Sequence, residues 1–186
     1  MDDYPEHLAP EFDEGGGVVT PFEKWWPRVA ASFPTVPEAV ARYWLHEHWR
    51  HSPYSHLKSR DYRFSLAEWP AADLWKVHSR WCNFCPDNLE CAEHGAYLTT
   101  LVEKPYAYRT AIYMLANGDF PTPIIVLDNR DGHAIREKFW ESVPRGWGLI
   151  EGHRRFNLAL HLQRTGHLKP AVKVWVMKRT GADSDG

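Results

Sequence analysis

Long apolar runs are missing from this chain, and so is a surplus of charge of either sign. No stretch of its 186 residues approaches the roughly 20 consecutive apolar residues that cross a bilayer. The acidic start lacks the basic and apolar regions of a secretory signal, so the expectation is a cytoplasmic protein with no membrane partner. The formal net charge of −2 supplies no general attraction to nucleic acid or anionic lipid. Cysteine is scarce as well. There are three, all between Cys82 and Cys91, an odd number that argues against a disulfide framework and fits a reducing compartment. Internal repeats are absent, and the only low-complexity stretch is at the N-terminus.

Tryptophan is the opposite case, with ten residues. Most lie in periodic segments and read first as core or interface anchors. Lys24-Trp25-Trp26-Pro27-Arg28 and Trp44 through Trp49-Arg50-His51 interleave aromatic and basic residues, as single-strand binders do. Helical spacing accounts for most of these rings as core, and a protein partner docking on Trp-rich helices is a further use. Charge is unevenly spread. Asp2, Asp3, Glu6, Glu11, Asp13 and Glu14, with no Lys or Arg among them, end in Gly15-Gly16-Gly17, which reads as a disordered acidic tail over 1–17. From Arg130 onward the chain turns moderately basic, so an anionic ligand would prefer this half.

Pattern and punctuation predict a short helix from Pro21 to about Ala31 and a longer one from Ala39 to about Trp49, entered through Thr35-Val36-Pro37-Glu38. Tyr62 to Leu66 alternates like a strand. A third helix is expected over Ala71 to Trp81, and a fourth from Tyr106 to Leu115, stopped by Asn117-Gly118-Asp119. After a strand at Pro123, Asn129-Arg130-Asp131-Gly132 makes a turn and Ala134 to about Val143 an amphipathic helix.

The richest segment is Leu149-Ile150-Glu151-Gly152-His153-Arg154-Arg155-Phe156. It reads as an apolar strand, a glycine turn and a helix whose first turn carries His153, Arg154 and Arg155. A helix N-terminus offers unpaired N–H donors and the positive end of the dipole. Glycine permits close backbone approach, and guanidinium forks suit phosphate. Two arginines at a helix start oppose the dipole, a conflict that a bound anion would relieve. A surface helix with two basic residues after a tight turn is the plainer account.

Pro123-Ile124-Ile125-Val126, then Gly152-His153-Arg154-Arg155-Phe156-Asn157-Leu158-Ala159, then Pro170-Ala171-Val172-Lys173-Val174-Trp175-Val176 resemble the ParB/sulfiredoxin superfamily over the C-terminal third. In ParB-like domains a Pro-Ile-x-Val strand leads to a Gly-x-Arg-Arg-x-x-x-Ala turn and helix, and then to a strand that often opens with Pro. Lys104-Pro105-Tyr106-Ala107-Tyr108-Arg109 resembles a degenerate form of that family's Asn-Pro-x-Gln-Pro-Arg box. The departures carry equal weight. His153 stands where ParB proteins usually have Glu and sulfiredoxins a reactive Cys, so sulfinic-acid repair has no nucleophile. The chain ends at Gly186, too soon for the helix-turn-helix domain of a partition protein.

The resemblance implies an α+β fold with a small mixed sheet and an N-terminal helical extension. The expected division is an acidic tail over 1–17, a mainly helical extension over 18–100, a ParB/sulfiredoxin-like domain over 101–178 and a flexible end over 179–186. It further implies that Gly152, His153, Arg154 and Arg155, with Arg109 reaching in, hold a nucleoside triphosphate and its Mg. Glu151 is either a general base or Mg ligand or a neutralising partner of Arg154 or Arg155. His153 either relays a proton or is an exposed helix-start histidine. Asp128, Asp131 and His133 could add a metal or water contact, or are turn chemistry. Cys82, Cys85, Cys91 and His94 form C-x2-C-x5-C-x2-H, which can hold a structural zinc, or are buried thiols on a helix.

The expected function is nucleotide binding with phosphoryl transfer or hydrolysis, as an NTPase, a phosphotransferase or a DNA-directed ParB-like nuclease. The alternatives are a non-catalytic nucleotide-sensing or partner-binding regulator and a zinc-stapled DNA-binding module.

Overall fold

The computed structural model describes residues 5–50, 52, 54, 57–85, 87–103, 108–134 and 143–181. The chain divides into two compact units, one of Met1–Phe64, Ala134–Ser142 and Met177–Gly186, the other of Ser65–His133 and Val143–Val176. The five strands are β1 (Tyr62–Pro70), β2 (Val77–His78), β3 (Ile124–Asn129), β4 (Gly146–Glu151) and β5 (Ala171–Arg179), in the spatial order β1-β5-β3-β4-β2. The α-helices are α1 (Phe22–Val29), α2 (Glu38–Val40), α3 (Leu89–Thr99), α4 (Arg109–Asn117) and α5 (His153–Arg164). The α+β class expected from the sequence holds. No described helix is long and apolar enough to cross a membrane.

The sheet is mixed, with β3 antiparallel to β4 and β2 parallel to β4. Backbone bonds from Thr180 N to Asp61 O and from Ala71 N to Pro170 O, each 2.8 Å, pair the start of β1 with the end of β5 and the reverse. Every residue of β3 is buried, and β3 is the middle strand. A central strand covered on both faces has no polar alternation to show, which is why Ile124-Ile125-Val126-Leu127 reads as one apolar run. On β5, Val172, Val174 and Val176 are buried while Lys173 is exposed, the period-two pattern of a strand with one covered face.

The helix α5 is the packing centre of the second unit. Phe156, Leu158, Ala159, Leu160 and Leu162 join Ile124, Val126, Leu149, Met114 and the valines of β5 in one core. It ends at Gly166 (φ 74°), where Gly166 N bonds to Gln163 O and His167 N to Leu162 O, the paired bonds of a Schellman stop. Gly118, in a left-handed conformation, closes α4 as expected. Gly95 lets α3 cross α5 closely, since a Cβ at that position would lie 2.0 Å from the Asn157 carbonyl oxygen.

Several expectations change. Residues 65–100 belong with the sheet unit rather than to a separate extension, because β2 is an edge strand and α3 packs on α5. The helix expected over Ala71 to Trp81 is a 3-10 helix Ala71–Lys76, then β2, then a 3-10 turn Arg80–Cys82. Val77 pairs with Trp147 of β4, and the Asn88 side chain donates to Trp75 O and Val77 O, so carbonyls that would have continued a helix are taken.

In the first unit, α2 runs straight into a π-helix, Ala41–His46. Trp44, Leu45 and His46 are buried in succession, which a single-faced α-helix would not give. Trp25, Trp44 and Trp49 are core. The Trp25 indole donates to Leu8 O and that of Trp44 to Ser52 Oγ, so these rings are not a nucleobase platform. Within the acidic start, Phe12 bridges Val18, Asp13 accepts from Gly17 N, and Arg50 lies 3.8 Å over the Phe12 ring. The expected helix from Ala134 and the box at Lys104 fall mostly outside the described residues.

Two stability predictions follow from this packing. Gly95→Ala drives a methyl group into backbone and should cost roughly 1–3 kcal/mol or more; a denaturant midpoint equal to that of the parent would contradict the α3–α5 crossing. Burial holds the His78 imidazole below its ordinary range, and burial followed by Arg164 and His167 does the same for His161. Below about pH 6.5 the unfolded chain therefore binds more protons at these sites, and stability falls as pH drops through that window. Melting temperatures read across it should show a shallower slope in the His78→Asn, His161→Asn double variant.

Candidate functional site

The sequence Leu149-Ile150-Glu151-Gly152 leaves the sheet through a bulge. Along β3 and β4 Val126 faces Leu149, yet Ile125 faces Glu151, so Ile150 is the extra residue. A bulge bends its strand and re-aims the side chains beside it, here immediately before the turn. Gly152 follows at φ 95° and is buried. A Cβ there would meet Ile124 Cγ2 at 2.6 Å and Arg155 Nη2 at 3.1 Å. Both the backbone angle and the close approach to β3 therefore require glycine. The helix α5 starts at His153, and the Phe156 N–H bonds back to Gly152 O. The first backbone N–H groups of any α-helix have no partner within it, and no side chain caps this one.

The two arginines of the first turn part company. Arg155 Nη2 donates to Glu151 Oε2 across the bend, and the two side chains are only 14% and 16% exposed. A carboxylate at the helix start offsets the unfavourable placement of one guanidinium against the dipole, and the ion pair clasps strand to helix. Arg154 is exposed, with its guanidinium carbon 5.7 Å from the centre of the Tyr108 ring, at the outer edge of cation–π range. Tyr108 is the N-cap of α4, and exposed Arg109 is that helix's first residue. The Arg154 side chain thus reaches toward the ring of the α4 N-cap residue. Among the described residues Arg154 forms no ion pair.

His153 stacks on Trp81, with ring centroids 5.0 Å apart and planes 25° from parallel. His94 lies 5.9 Å from Trp81 and 6.2 Å from Tyr97, and it accepts a hydrogen bond from Asn157 Nδ2 at 2.8 Å. Sequence reasoning missed Trp81 and Tyr108. The only signal for Trp81 is its place before the Cys82-x-x-Cys85 spacing, which equally suits a buried ring.

Each of the four candidate zinc ligands has another partner. Cys82 and Cys91 form a disulfide, a correction to the expectation of reduced thiols. Cys85 is free, and its thiol donates to Asp87 at 3.3 Å. His94 is engaged by Asn157. Among the described residues no group of three or more side chains is gathered for a metal. At the bend the one carboxylate, Glu151, is held by Arg155, so a Mg ion would have to arrive largely coordinated by its phosphates.

Asp128, Asp131 and His133 are not brought to the bend. Antiparallel register sets Asp128 opposite Trp147, at the far end of β4 from Glu151. There Asp128 forms a two-bond ion pair with Arg130, at 2.8 and 2.7 Å, and Arg130 covers the Trp147 ring at 4.6 Å. Asp131 pairs with His133.

No family model, curated protein or solved structure matches the chain.

The disulfide yields a direct prediction. Thiol titration of the unreduced, denatured chain should count one reactive cysteine, and the reduced chain three. Closing so short a loop contributes roughly 2–3 kcal/mol, so Cys82→Ser with Cys91→Ser should lower the melting temperature. Three thiols before reduction, with bound zinc by elemental analysis, would contradict this arrangement.

Proposed function

We propose that the Gly152 bend binds the phosphates of a nucleotide. The observation that carries this reading is the division of labour between two adjacent arginines. Arg155 is neutralised by Glu151 and braces the turn, whereas Arg154 stays exposed at the positive end of α5, its guanidinium 5.7 Å from the ring of Tyr108, the N-cap of α4. A guanidinium kept at a helix start with no ion pair among the described residues runs against the dipole, and local violations of stability rules gather at functional sites. An oligophosphate relieves the conflict. It accepts from first-turn amides, from Arg154 and from Arg109, and charge-assisted bonds of this kind are about twice as strong as neutral ones. The likeness to the Gly-x-Arg-Arg turn of ParB-type proteins supports the same ligand class.

Binding without turnover, as in a nucleotide sensor, is favoured over hydrolysis by one feature: Glu151 is occupied by Arg155. Phosphoryl transfer or hydrolysis with Mg, DNA-directed or not, is the second reading. It requires the incoming phosphate to draw Arg155 away and release the Glu151 carboxylate for a water or Mg ion. Steady release of inorganic phosphate from a triphosphate with Mg separates the two.

Arg154→Ala should weaken nucleoside triphosphate and tripolyphosphate binding by about tenfold or more, the loss of one bond to a charged group, with the melting temperature of the free protein unchanged. Calorimetric titration checks it, and affinity equal to that of the parent removes the assignment. Glu151→Gln should act in the other direction on binding, raising affinity by freeing Arg155, while lowering the stability of the free chain.

A further inference from the structure

Several features of the second unit stand apart from the phosphate contacts, and they converge on one residue. Trp81 is 49% exposed, unusual for so large an apolar ring, yet it is not loose. One face lies on His153, the residue that opens α5. The turn that presents it is fixed from behind by the Cys82–Cys91 disulfide to α3. Among the described residues, every non-glycine residue with positive φ lies in the following loop: Asn83, Phe84 and Asn88. Left-handed backbone at a bulky residue such as Phe84 is costly and persists only where the surroundings enforce it. The disulfide thus ties the turn to α3 while the indole stays in solvent.

We infer that Trp81 is the stacking surface for the base of the nucleotide whose phosphates the Gly152 bend holds, an inference that rests on the phosphate reading above. The two subsites are joined by His153, whose backbone belongs to the first turn of α5 and whose ring supports the indole. A ligand that satisfies both must carry a flat π-system and a phosphate group in one molecule, and a nucleotide does. Stacking on an aromatic face is tolerant of base identity because every base has such a face. His94 and Tyr97, the latter 58% exposed, continue the row of rings away from the bend. The same chemistry therefore accommodates a free nucleotide or the phosphorylated end of a single strand, whose second base would reach Tyr97.

The test uses the full chain with ATP and tripolyphosphate as paired probes, compared for the parent, Trp81→Ala, Trp81→Phe and Arg154→Ala. Trp81→Ala should lose ATP affinity by roughly tenfold while tripolyphosphate affinity stays at the parental value, and Trp81→Phe should recover most of the loss. Equal losses for both probes, or no loss for ATP, overturn the base subsite, and sensitivity of tripolyphosphate to Arg154→Ala still leaves the phosphate site standing. If neither probe binds the parent, both readings fall. A 5′-phosphorylated dinucleotide that binds more tightly than the mononucleotide, and loses that advantage in Tyr97→Ala, supports the strand end as the source; no such advantage supports the free nucleotide.

Discussion

The contact between Gly152 and Ile124 governs the second unit. With only 2.6 Å between Ile124 Cγ2 and the place where a Cβ would sit, the backbone can turn from β4 into α5 directly against the middle strand only because residue 152 has no side chain. The bulge at Ile150 aims Glu151 across the turn, and the Glu151–Arg155 pair closes it. Once the start of α5 is fixed, so is the helix that α3 and α4 pack against. The same constraint sets the places of Arg154, of His153 and of the indole resting on it. Packing and the proposed ligand chemistry are therefore coupled at one residue.

Electrostatically the bend is half solved. A helix N-terminus with two arginines is unfavourable by a few tenths to about 1 kcal/mol for each charge in exposed settings. The chain supplies one carboxylate, and it goes to the less exposed guanidinium, where an uncompensated charge would cost more. Arg154 keeps its solvent and its ring neighbour Tyr108. The Asp128–Arg130 pair at the opposite end of β3 shows the contrasting outcome: an arginine and an acid matched by two bonds, with an indole against the guanidinium. That end has the chemistry of a structural brace.

Much of this was legible in the chain because it depends on local signals. Glycine before a basic first turn, the unbroken apolar run of β3, the strand at Pro170 and the glycine stop of α4 each have a short-range cause. What was not legible depends on distant partners. Strand β2 is two residues long and exists through pairing with Trp147, so Ala71 to Trp81 read as a helix. The acidic start has the composition of a disordered tail, and a distant contact, that of Arg50 over the Phe12 ring, leaves no trace in that composition. Three cysteines and a histidine at finger-like spacing do not announce which pair will join. Trp81 was read with the other tryptophans as a core or interface anchor, because exposure is a property of the loop conformation and not of the residue. At Glu151 both roles were visible, and the i to i+4 geometry across a left-handed glycine selects the ion pair.

The central claim is that the bend at Gly152 receives an anion through main-chain donors. Its most direct measurement is a heteronuclear NMR titration of the isotope-labelled protein with tripolyphosphate at fixed ionic strength. The account predicts saturable amide shifts confined to His153, Arg154 and Arg155 and the start of α4, with the Arg130 end of the sheet unmoved. Shifts spread over exposed lysines and arginines without saturation, or none at the first turn of α5, would contradict it.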